Sequence, residues 1–480
     1  MGTATTADQR IDPALRRLIW ILVLGALAPA LDTTIVNVAL DTLGRALHSS
    51  IATSQWTITG YLLAMGMAMP VTGWLAERFG GKRMWLCSLT LFLAGSALSG
   101  AAWNAPSLIV FRVIQGAGAG LMMPIVTTLL VQAAGPKRLG GMMAIAMLPV
   151  VVVPIFGPVV GGLIINNLSW RWIFYVNVPV CLSALLLAWR AMPASAPEQQ
   201  RHPFDVLGLA LLSPGLALLI YGLSHVPGHG GFASTAVLIP LTAGLGLTAA
   251  FVLHAAHSHK QPLINLSVLR VRSYAASVAV LFFAGLSVYG PLLLLALYYQ
   301  QVQGKSALVT GLLLAPQGIG SLLPRGIAGT LTDRIGPRLV VLTGLVLTAL
   351  GTLAFTQAGP TSNGWLLAGS LFVRGAGLAP VTIAVMAGAF QDVAQAEVPD
   401  ASSTTRIVQQ VGGSFGTSVL AVILAHQLLS HAAVTAAARG HAFNTAFWWA
   451  IGFGLLALIP ALLLPTAVTH KPDPSTGNPG

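Results

Sequence analysis

The stretch Leu31-Asp-Thr-Thr-Ile-Val-Asn-Val-Ala-Leu40 decides how the rest of the chain is interpreted. It closes an apolar run from Leu18 to Leu40 that is long enough to cross a bilayer, and Asp32 is the only charged residue in that run. An ionised carboxylate at membrane depth costs at least about 2.5 kcal/mol, so it persists there by taking up a proton or by finding a partner. The run therefore predicts an intramembrane acid that can bind and release a proton.

The composition of the whole chain predicts a helical membrane protein with many spans. Of its 480 residues, 55% are hydrophobic and only 8% are charged, and the mean hydropathy is +0.80. A soluble protein of this length needs far more surface charge. The formal net charge of +12 does not indicate a nucleic-acid-binding face, because the basic residues lie at the ends of apolar segments, where the positive-inside rule places them. The two cysteines lie inside apolar runs and predict neither a disulfide framework nor a metal site.

Apolar segments of spanning length number fourteen, and the distribution of basic residues predicts that both chain termini are cytoplasmic. The first segment is too long for the core of a signal peptide, so we expect it to be retained. The predicted segments are roughly 17–40, 54–76, 84–103, 107–133, 140–166, 172–190, 205–224, 234–254, 272–300, 308–331, 338–357, 364–390, 404–430 and 443–466.

An internal repeat divides these segments into two halves. The run from Gly73 to Lys82 (GWLAERFGGK) returns 256 residues later, from Gly329 to Arg338 (GTLTDRIGPR). Two repeated six-helix halves that rock about a central site are typical of transporters. The predicted organisation is a cytoplasmic tail (1–16), an N-terminal six-helix half (17–190), a cytoplasmic linker (191–204), two inserted helices (205–254), a second linker (255–271), a C-terminal six-helix half (272–466) and a cytoplasmic tail (467–480).

The repeated loop carries side chains that suit a conformational latch. Its glycines allow two helices to approach closely, and its acid and base can pair across helix ends. The positive-inside rule explains why basic residues occur in these loops. It does not explain why the glycines, the acid and the bases repeat with the same spacing. The predicted latch residues are Gly73, Glu77, Arg78 and Gly80 in the first copy and Gly329, Asp333 and Arg334 in the second.

Arg112 lies well inside the fourth apolar segment. At 1.5 Å per residue, Arg112 lies about 8 Å and Asp32 about 9–12 Å from the outer helix ends, so the two side chains can meet. A nearby cation favours the charged carboxylate and desolvation favours the neutral one, and the sequence leaves open which prevails. It also leaves open whether Arg112 only braces helices by bonding to backbone carbonyls.

Taken together, these stretches resemble the drug:proton antiporters of the major facilitator superfamily, in their fourteen-helix branch. The resemblance covers about residues 17–466. It rests on Leu31 to Leu40, Gln55-Trp56 with Tyr61-Leu62 and Pro70, Gly73 to Arg83, Arg112 to Gly118, Gly157 to Gly162, and Trp170 to Pro179.

The resemblance implies an all-α membrane protein with the major facilitator fold, located in a bacterial inner membrane and exporting amphipathic compounds in exchange for protons. It maps the proton-linked acid onto Asp32 and the membrane-embedded base onto Arg112. Glu77 departs mildly from the family, which usually has Asp there. An antiporter seam maps onto Gly157, Pro158, Gly161 and Gly162, although a Val-rich run replaces the glycine often found one turn earlier.

A lining rich in methionine and aromatic residues suits apolar cargo. We expect a lipophilic, neutral or monocationic small molecule, because the late helices lack the extra acid found in some exporters of dications. Protons, the cargo and the bilayer are the expected partners, with no cofactor, no nucleic acid and a monomeric chain. The candidate lining residues, each of which also fits plain packing, are Gln115, Met122, Met123, Met147, Phe282, Phe283, Tyr289, Gln317 and Met386.

Alternatives from other classes stay open at this point. A nutrient symporter would use the same fold, and an exporter of a lipid, a cell-envelope precursor or one specific natural product is closer still. A membrane enzyme is more distant, because the sequence contains no metal-ligand set, nucleophile triad or phosphate loop. His254, His257 and His259 could bind a metal, but a solvated loop end is the favoured interpretation.

Overall fold

The computed structural model describes residues 13–49, 51–134, 153, 157, 160–165, 167–193, 204–226, 232–258, 262–264, 266–394, 397–430 and 435–466. All regular elements within these ranges are helices. The first half contains α1 (Pro13–Ala46), α2 (Ile51–Ala68), α3 (Thr72–Phe79), α4 (Gly81–Gly100), α5 (Ala105–Ala134), α6 (Trp172–Tyr175) and α7 (Asn177–Ala191). An inserted hairpin contains α8 (Val206–His225) and α9 (Thr235–His257). The second half contains α10 (Arg272–Gln301), α11 (Ala307–Leu322), α12 (Arg325–Ile335), α13 (Pro337–Leu353), α14 (Gly364–Phe390), α15 (Val398–Ser430), α16 (Ala436–Leu456) and α17 (Leu458–Ala461).

Eleven helical segments in the described ranges are long and apolar enough to cross a membrane. Two further predicted spans form helices that fall short: α4 starts with Lys82 and Arg83 and is less apolar, and α11 has only 16 residues. The predicted span 140–166 lies largely outside the described residues. The all-helical membrane architecture is therefore confirmed, whereas the number fourteen and the orientation of the termini stay predictions.

The repeated loop forms the same sharp turn in both halves. Gly80 separates α3 from α4 with φ 84°, and Gly336 separates α12 from α13 with φ 83°. A side chain would be strained at this positive φ, which explains glycine at both positions. We call the side of the bundle that carries these two turns the repeat-loop face, and the other side the opposite face.

Helix packing repeats as well. Gly95 of α4 lies against the backbone of Gln115 in α5, and Gly351 of α13 lies against the backbone of Arg374 in α14. The two glycines are 256 residues apart, which is the spacing of the repeated loop. Since a Cβ at either glycine would collide with the neighbouring helix, both halves use glycine for the same close approach.

A second glycine pair extends this correspondence. Gly116 of α5 lies against the carbonyl of Tyr61, and Gly375 of α14 lies against the carbonyl of Gln317. Tyr61 and Gln317 are also 256 residues apart. The contacting residues of the two arginine-bearing helices, Gly116 and Gly375, are 259 residues apart, so the centres of the two halves can be compared once this shift of three residues is included.

The two halves share a hydrophobic core only toward the repeat-loop face. There, Trp85 and Ile125 of the first half join Val280, Val341 and Ala401 of the second half in one buried cluster. Toward the opposite face, each half has its own cluster within the described residues, formed in the first half mainly by the end of α1 and the segment from Trp170 to Phe174. The described conformation is therefore closed at the repeat-loop face.

Candidate functional site

Asp32 forms a buried ion pair with Arg112 at the centre of the first half. The Nη1 atom of Arg112 donates to Oδ2 of Asp32 at 2.5 Å, and the two side chains are 1% and 0% exposed. The contact predicted from helix depth is thus present. Breaking such a pair by removing one partner leaves an uncompensated buried charge, which typically costs about 3–5 kcal/mol.

Two amides complete the environment of the carboxylate. The Nε2 atom of Gln115 donates to Oδ1 of Asp32 at 2.9 Å, and Nδ2 of Asn177 donates to the same oxygen at 3.2 Å. Asn177 also donates to the hydroxyl of Ser96 at 3.1 Å, and Ser96 donates to the carbonyl of Phe174. Arg112, Gln115 and Asn177 all donate to Asp32, so the network is complementary to the ionised carboxylate.

Arg112 ties this carboxylate to a further helix. Its Nε atom donates to the carbonyl of Thr57 in α2 at 3.0 Å, and its Nη1 atom also reaches the amide oxygen of Gln115 at 2.6 Å. The guanidinium lies over the ring of Tyr61, 4.1 Å from the ring centroid. Through these contacts one charged pair links α1, α2, α5 and α7, and Asn177 extends the network to α4.

In the described part of the second half, the central arginine is paired with neutral groups. Arg374 of α14 is 1% exposed, and its Nη1 atom donates to the amide oxygen of Gln317 at 2.6 Å. Its Nη2 atom donates to the carbonyl of Ser287 at 2.8 Å, and its Nε atom has no partner in the described residues. No described carboxylate forms an ion pair with it.

The seam residues contact the first helix. Gly157 lies against Thr34, and Gly161 lies against Ile35, both within two or three residues of Asp32. Gly162 has open space where a side chain would be. Pro158 lies outside the described residues. Contacts of Gly157 and Gly161 within their own half are thus established, and a role as a seam stays a prediction.

The first latch copy reaches the other half. A Cβ on Gly73 would be 2.8 Å from Oδ1 of Asp400, at the start of α15. Arg78 lies over the ring of Trp74, with 5.2 Å from its Cζ atom to the ring centroid. In the second copy Gly329 is buried, whereas Asp333 and Arg334 are exposed.

The candidate lining residues have different environments in this conformation. Met122 and Met386 are fully buried in the shared core, where they act as packing residues, and Phe283 packs against that core. Gln115 and Gln317 bond to the two central groups described above. Tyr289 is 42% exposed although it lies in the middle of α10. Met123 and Phe282 are half-buried, and Met147 lies outside the described residues.

Sequence reasoning missed one member of the central network and one cluster outside it. Asn177 was part of a recognised motif, but its contact with Asp32 follows from the packing of α7 on α1. His254 bonds through Nε2 to both carboxylate oxygens of Asp205 at 3.1 Å, so it has a carboxylate partner and is not a free loop histidine. The carboxylate also accepts from the backbone N–H groups of Gly208 and Leu263.

Comparisons with known proteins agree with this architecture. The family model described as Major Facilitator Superfamily matches residues 22–417. The "Multidrug resistance protein B homolog" of Mycobacterium tuberculosis is 39% identical over 432 residues, covering 90% of this chain and 80% of that protein. The "Multidrug export protein EmrB" of Haemophilus influenzae is 34% identical over 337 residues, covering 70% and 66%.

Solved structures support the fold. The proton:xylose symporter XylE, bound to 6-bromo-6-deoxy-D-glucose, superposes with a TM-score of 0.65 at 14% sequence identity, covering 93% of this chain and 94% of that one. At this level of identity the match concerns the fold alone.

Proposed function

We propose that this chain, which belongs to the major facilitator superfamily, is a proton-coupled antiporter that exports lipophilic small molecules by alternating access. It is a multi-pass protein of the bacterial cell membrane and a transporter, not an enzyme. The names of its relatives, a multidrug resistance protein and a multidrug export protein, support drug export. The observation that carries proton coupling is the buried, fully hydrogen-bonded carboxylate of Asp32.

The coupling step follows from the hydrogen-bond inventory of this site. An ionised Asp32 accepts from Arg112, Gln115 and Asn177, whereas a protonated one brings an O–H among groups that mostly donate. Proton uptake therefore weakens the links from α1 to α5 and α7. Since these helices build one half, the proton changes how that half packs, and the affinity for cargo changes with it.

Alternating access requires a second state that is open at the repeat-loop face. In the described state, Nη2 of Arg406 in α15 reaches the hydroxyl of Thr127 in α5 at 3.4 Å, and Gly73 lies beside Asp400. We propose that these contacts form the latch, and that the repeat-loop face is cytoplasmic. The described state is then closed toward the cytoplasm, and Asp32 exchanges its proton once the central network opens.

The finer features are proposed on the same basis. We propose fourteen spans, cytoplasmic termini and a monomeric chain. For the cargo, we propose the neutral end of the predicted neutral-to-monocationic range. Asp32 is already neutralised by Arg112, and Arg374 adds a buried positive charge, so the described centre offers no spare negative charge to a cation.

Proton movement in reconstituted vesicles tests the proposal. Adding cargo to wild-type proteoliposomes that contain a pH-sensitive dye should move protons against the cargo, while Asp32→Asn should abolish this movement and leave the protein folded. Asp205→Asn is the matched control, because this carboxylate lies outside the central network, and it should keep the coupling. Normal cargo-dependent proton movement in Asp32→Asn would overturn the assignment. A panel of chemically diverse compounds separates a polyspecific pump from an exporter of one product.

A further inference from the structure

The register of α10 in the second half matches that of α1 in the first. Gly157 lies against Thr34 of α1, and Gly413 lies against Tyr289 of α10. The glycines are 256 residues apart, and their partners are 255 residues apart. The side chains that face the centre of each half can therefore be compared directly.

That register puts Ser287 at the position equivalent to Asp32. The carbonyl of Ser287 accepts from Arg374, but its hydroxyl has no hydrogen-bond partner in the described part of the chain. Its hydroxyl faces Gly454 of α16, which contributes no side chain, whereas α7 supplies Asn177 at the corresponding place in the first half. Among the described residues, the second half thus keeps the cation and places no anion beside it.

A buried guanidinium without an anion is expensive, because neutral acceptors compensate only part of the lost hydration. Of the two partners of Arg374, Gln317 is the easier to displace, because it bonds through a half-buried side chain and Ser287 bonds through its backbone carbonyl. An anionic oxygen that replaced the amide oxygen of Gln317 would form a charge-assisted bond to Arg374.

An approach to this group exists from the partly exposed side of the centre. Gln317, which bonds to Arg374 directly, is itself partly exposed. A ligand that displaces the amide of Gln317 therefore meets the guanidinium.

We propose that Arg374, held by Gln317 and Ser287, is an anion-binding subsite that receives a carboxylate or another anionic oxygen of a lipophilic cargo. As a statement about cargo, it rests on the proposed export function and extends its range from neutral molecules to lipophilic acids. The structural alternative is that Arg374 only holds α10, α11 and α14 together through its two hydrogen bonds. The two roles predict different effects on anion binding when a carboxylate is introduced at position 287.

Binding to the purified full chain tests the subsite without relying on transport. Equilibrium dialysis at pH 7 compares 2-naphthoic acid, which is ionised, with 2-naphthamide, which has the same ring system and no charge. Wild type should bind the acid about tenfold to a hundredfold more tightly, the range expected for one charge-assisted hydrogen bond. Ser287→Asp should erase this preference, because it gives Arg374 the partner that Asp32 gives Arg112.

Ser287→Asn adds nearly the same volume without the charge, so Ser287→Asp should weaken the preference for the acid far more than Ser287→Asn does. Arg374→Gln should lose the preference as well. Thermal unfolding in detergent micelles shows whether each variant is folded. Equal binding of acid and amide by wild type would overturn the proposal, as would a preference that survives Ser287→Asp. Because the readout is binding, it can fail while Asp32 still couples proton movement, and it can succeed when coupling fails.

Discussion

The two halves solve the same packing problem and hold different charges at the centre. Glycines 256 residues apart bring the equivalent helices together in both. In the first half the buried guanidinium of Arg112 meets Asp32, whereas in the second the described partners of Arg374 are an amide and a carbonyl. The difference teaches that the repeat preserves the scaffold, while within the described ranges a carboxylate pairs with the central guanidinium in the first half alone.

The largest expected effect comes from removing each arginine. Arg112→Met leaves the Asp32 carboxylate buried without its cation, which should lower stability by about 3–5 kcal/mol. Arg374→Met strands no described carboxylate and loses two hydrogen bonds, which should cost about 1–3 kcal/mol. Thermal unfolding in detergent micelles measures both.

The double variant Asp32→Asn with Arg112→Met is the control for this comparison. It removes the stranded charge and should recover part of the loss seen in Arg112→Met alone. Equal destabilisation by the two single arginine variants would show that the pair with Asp32 adds nothing, and the contrast between the halves would not hold.

Equivalent glycines should respond equally if the packing correspondence is real. Gly95→Ala and Gly351→Ala each place a Cβ against the backbone of the neighbouring helix, and each should cost about 1–3 kcal/mol through overpacking. Gly246→Ala and Gly369→Ala are controls, because nothing lies within 4 Å of a Cβ at either position. Unfolding temperatures report the result. A cost confined to one half would break the correspondence.

The contact between Gly73 and Asp400 should help to hold the two halves together at the repeat-loop face. Gly73→Val pushes its side chain toward Asp400 and should loosen the contact between halves at the repeat-loop face, by about 1–3 kcal/mol. Alkylation of a cysteine at the buried position Thr127 should then become faster. Gly326→Val in α12 has open space and should leave this rate unchanged. Unchanged labelling in Gly73→Val would remove Gly73 from the latch.

The smallest effect is expected outside both halves, at Asp205. Burial opposes its ionisation, but hydrogen bonds from the Gly208 and Leu263 backbones and from His254 outweigh it and hold its pKa below the usual value. Since the folded pKa is depressed, this carboxylate stabilises the fold above the unfolded pKa of about 3.9, and the contribution is lost as pH falls through the folded pKa.

Asp205→Asn keeps an oxygen that can cap the helix but removes the charge, so it should lower stability at neutral pH by about 0.3–1 kcal/mol, with the difference shrinking in acid. Unfolding followed from pH 7 downward measures it. A penalty that stays constant with pH would mean that the ionised carboxylate is not the stabilising form.

Much of this could be predicted from the sequence, for identifiable reasons. Apolar length predicts helices, the repeated loop predicts two halves, and counting residues along helices predicted that Asp32 and Arg112 can meet. Asn177 was harder to place, because its contact depends on how α7 packs on α1. Met122 and Met386 are predicted to line the cargo cavity, but they lie in the shared core. The sequence shows which face of a helix is apolar, whereas the conformation decides whether that face meets a cavity or a core.

The acid-free centre of the second half could not be found from the spacing alone. Arg374 lies 262 residues after Arg112, and packing aligns it with Gln115 instead, so a search at the repeat interval misses the correspondence. Ser287 is uncharged, so the sequence gives no signal that it lies beside Arg374. Only the glycine contacts, which fix the register of each helix, relate these positions to the first half.

The central claim is tested most directly by infrared difference spectroscopy of the purified protein, which reports protonation of buried carboxyl groups. On acidification and on addition of an exported cargo, wild type should show a change in a protonated-carboxyl band, and this change should be absent in Asp32→Asn and retained in Asp205→Asn. Identical difference spectra for wild type and Asp32→Asn, across the pH range in which export responds to a proton gradient, would contradict the account.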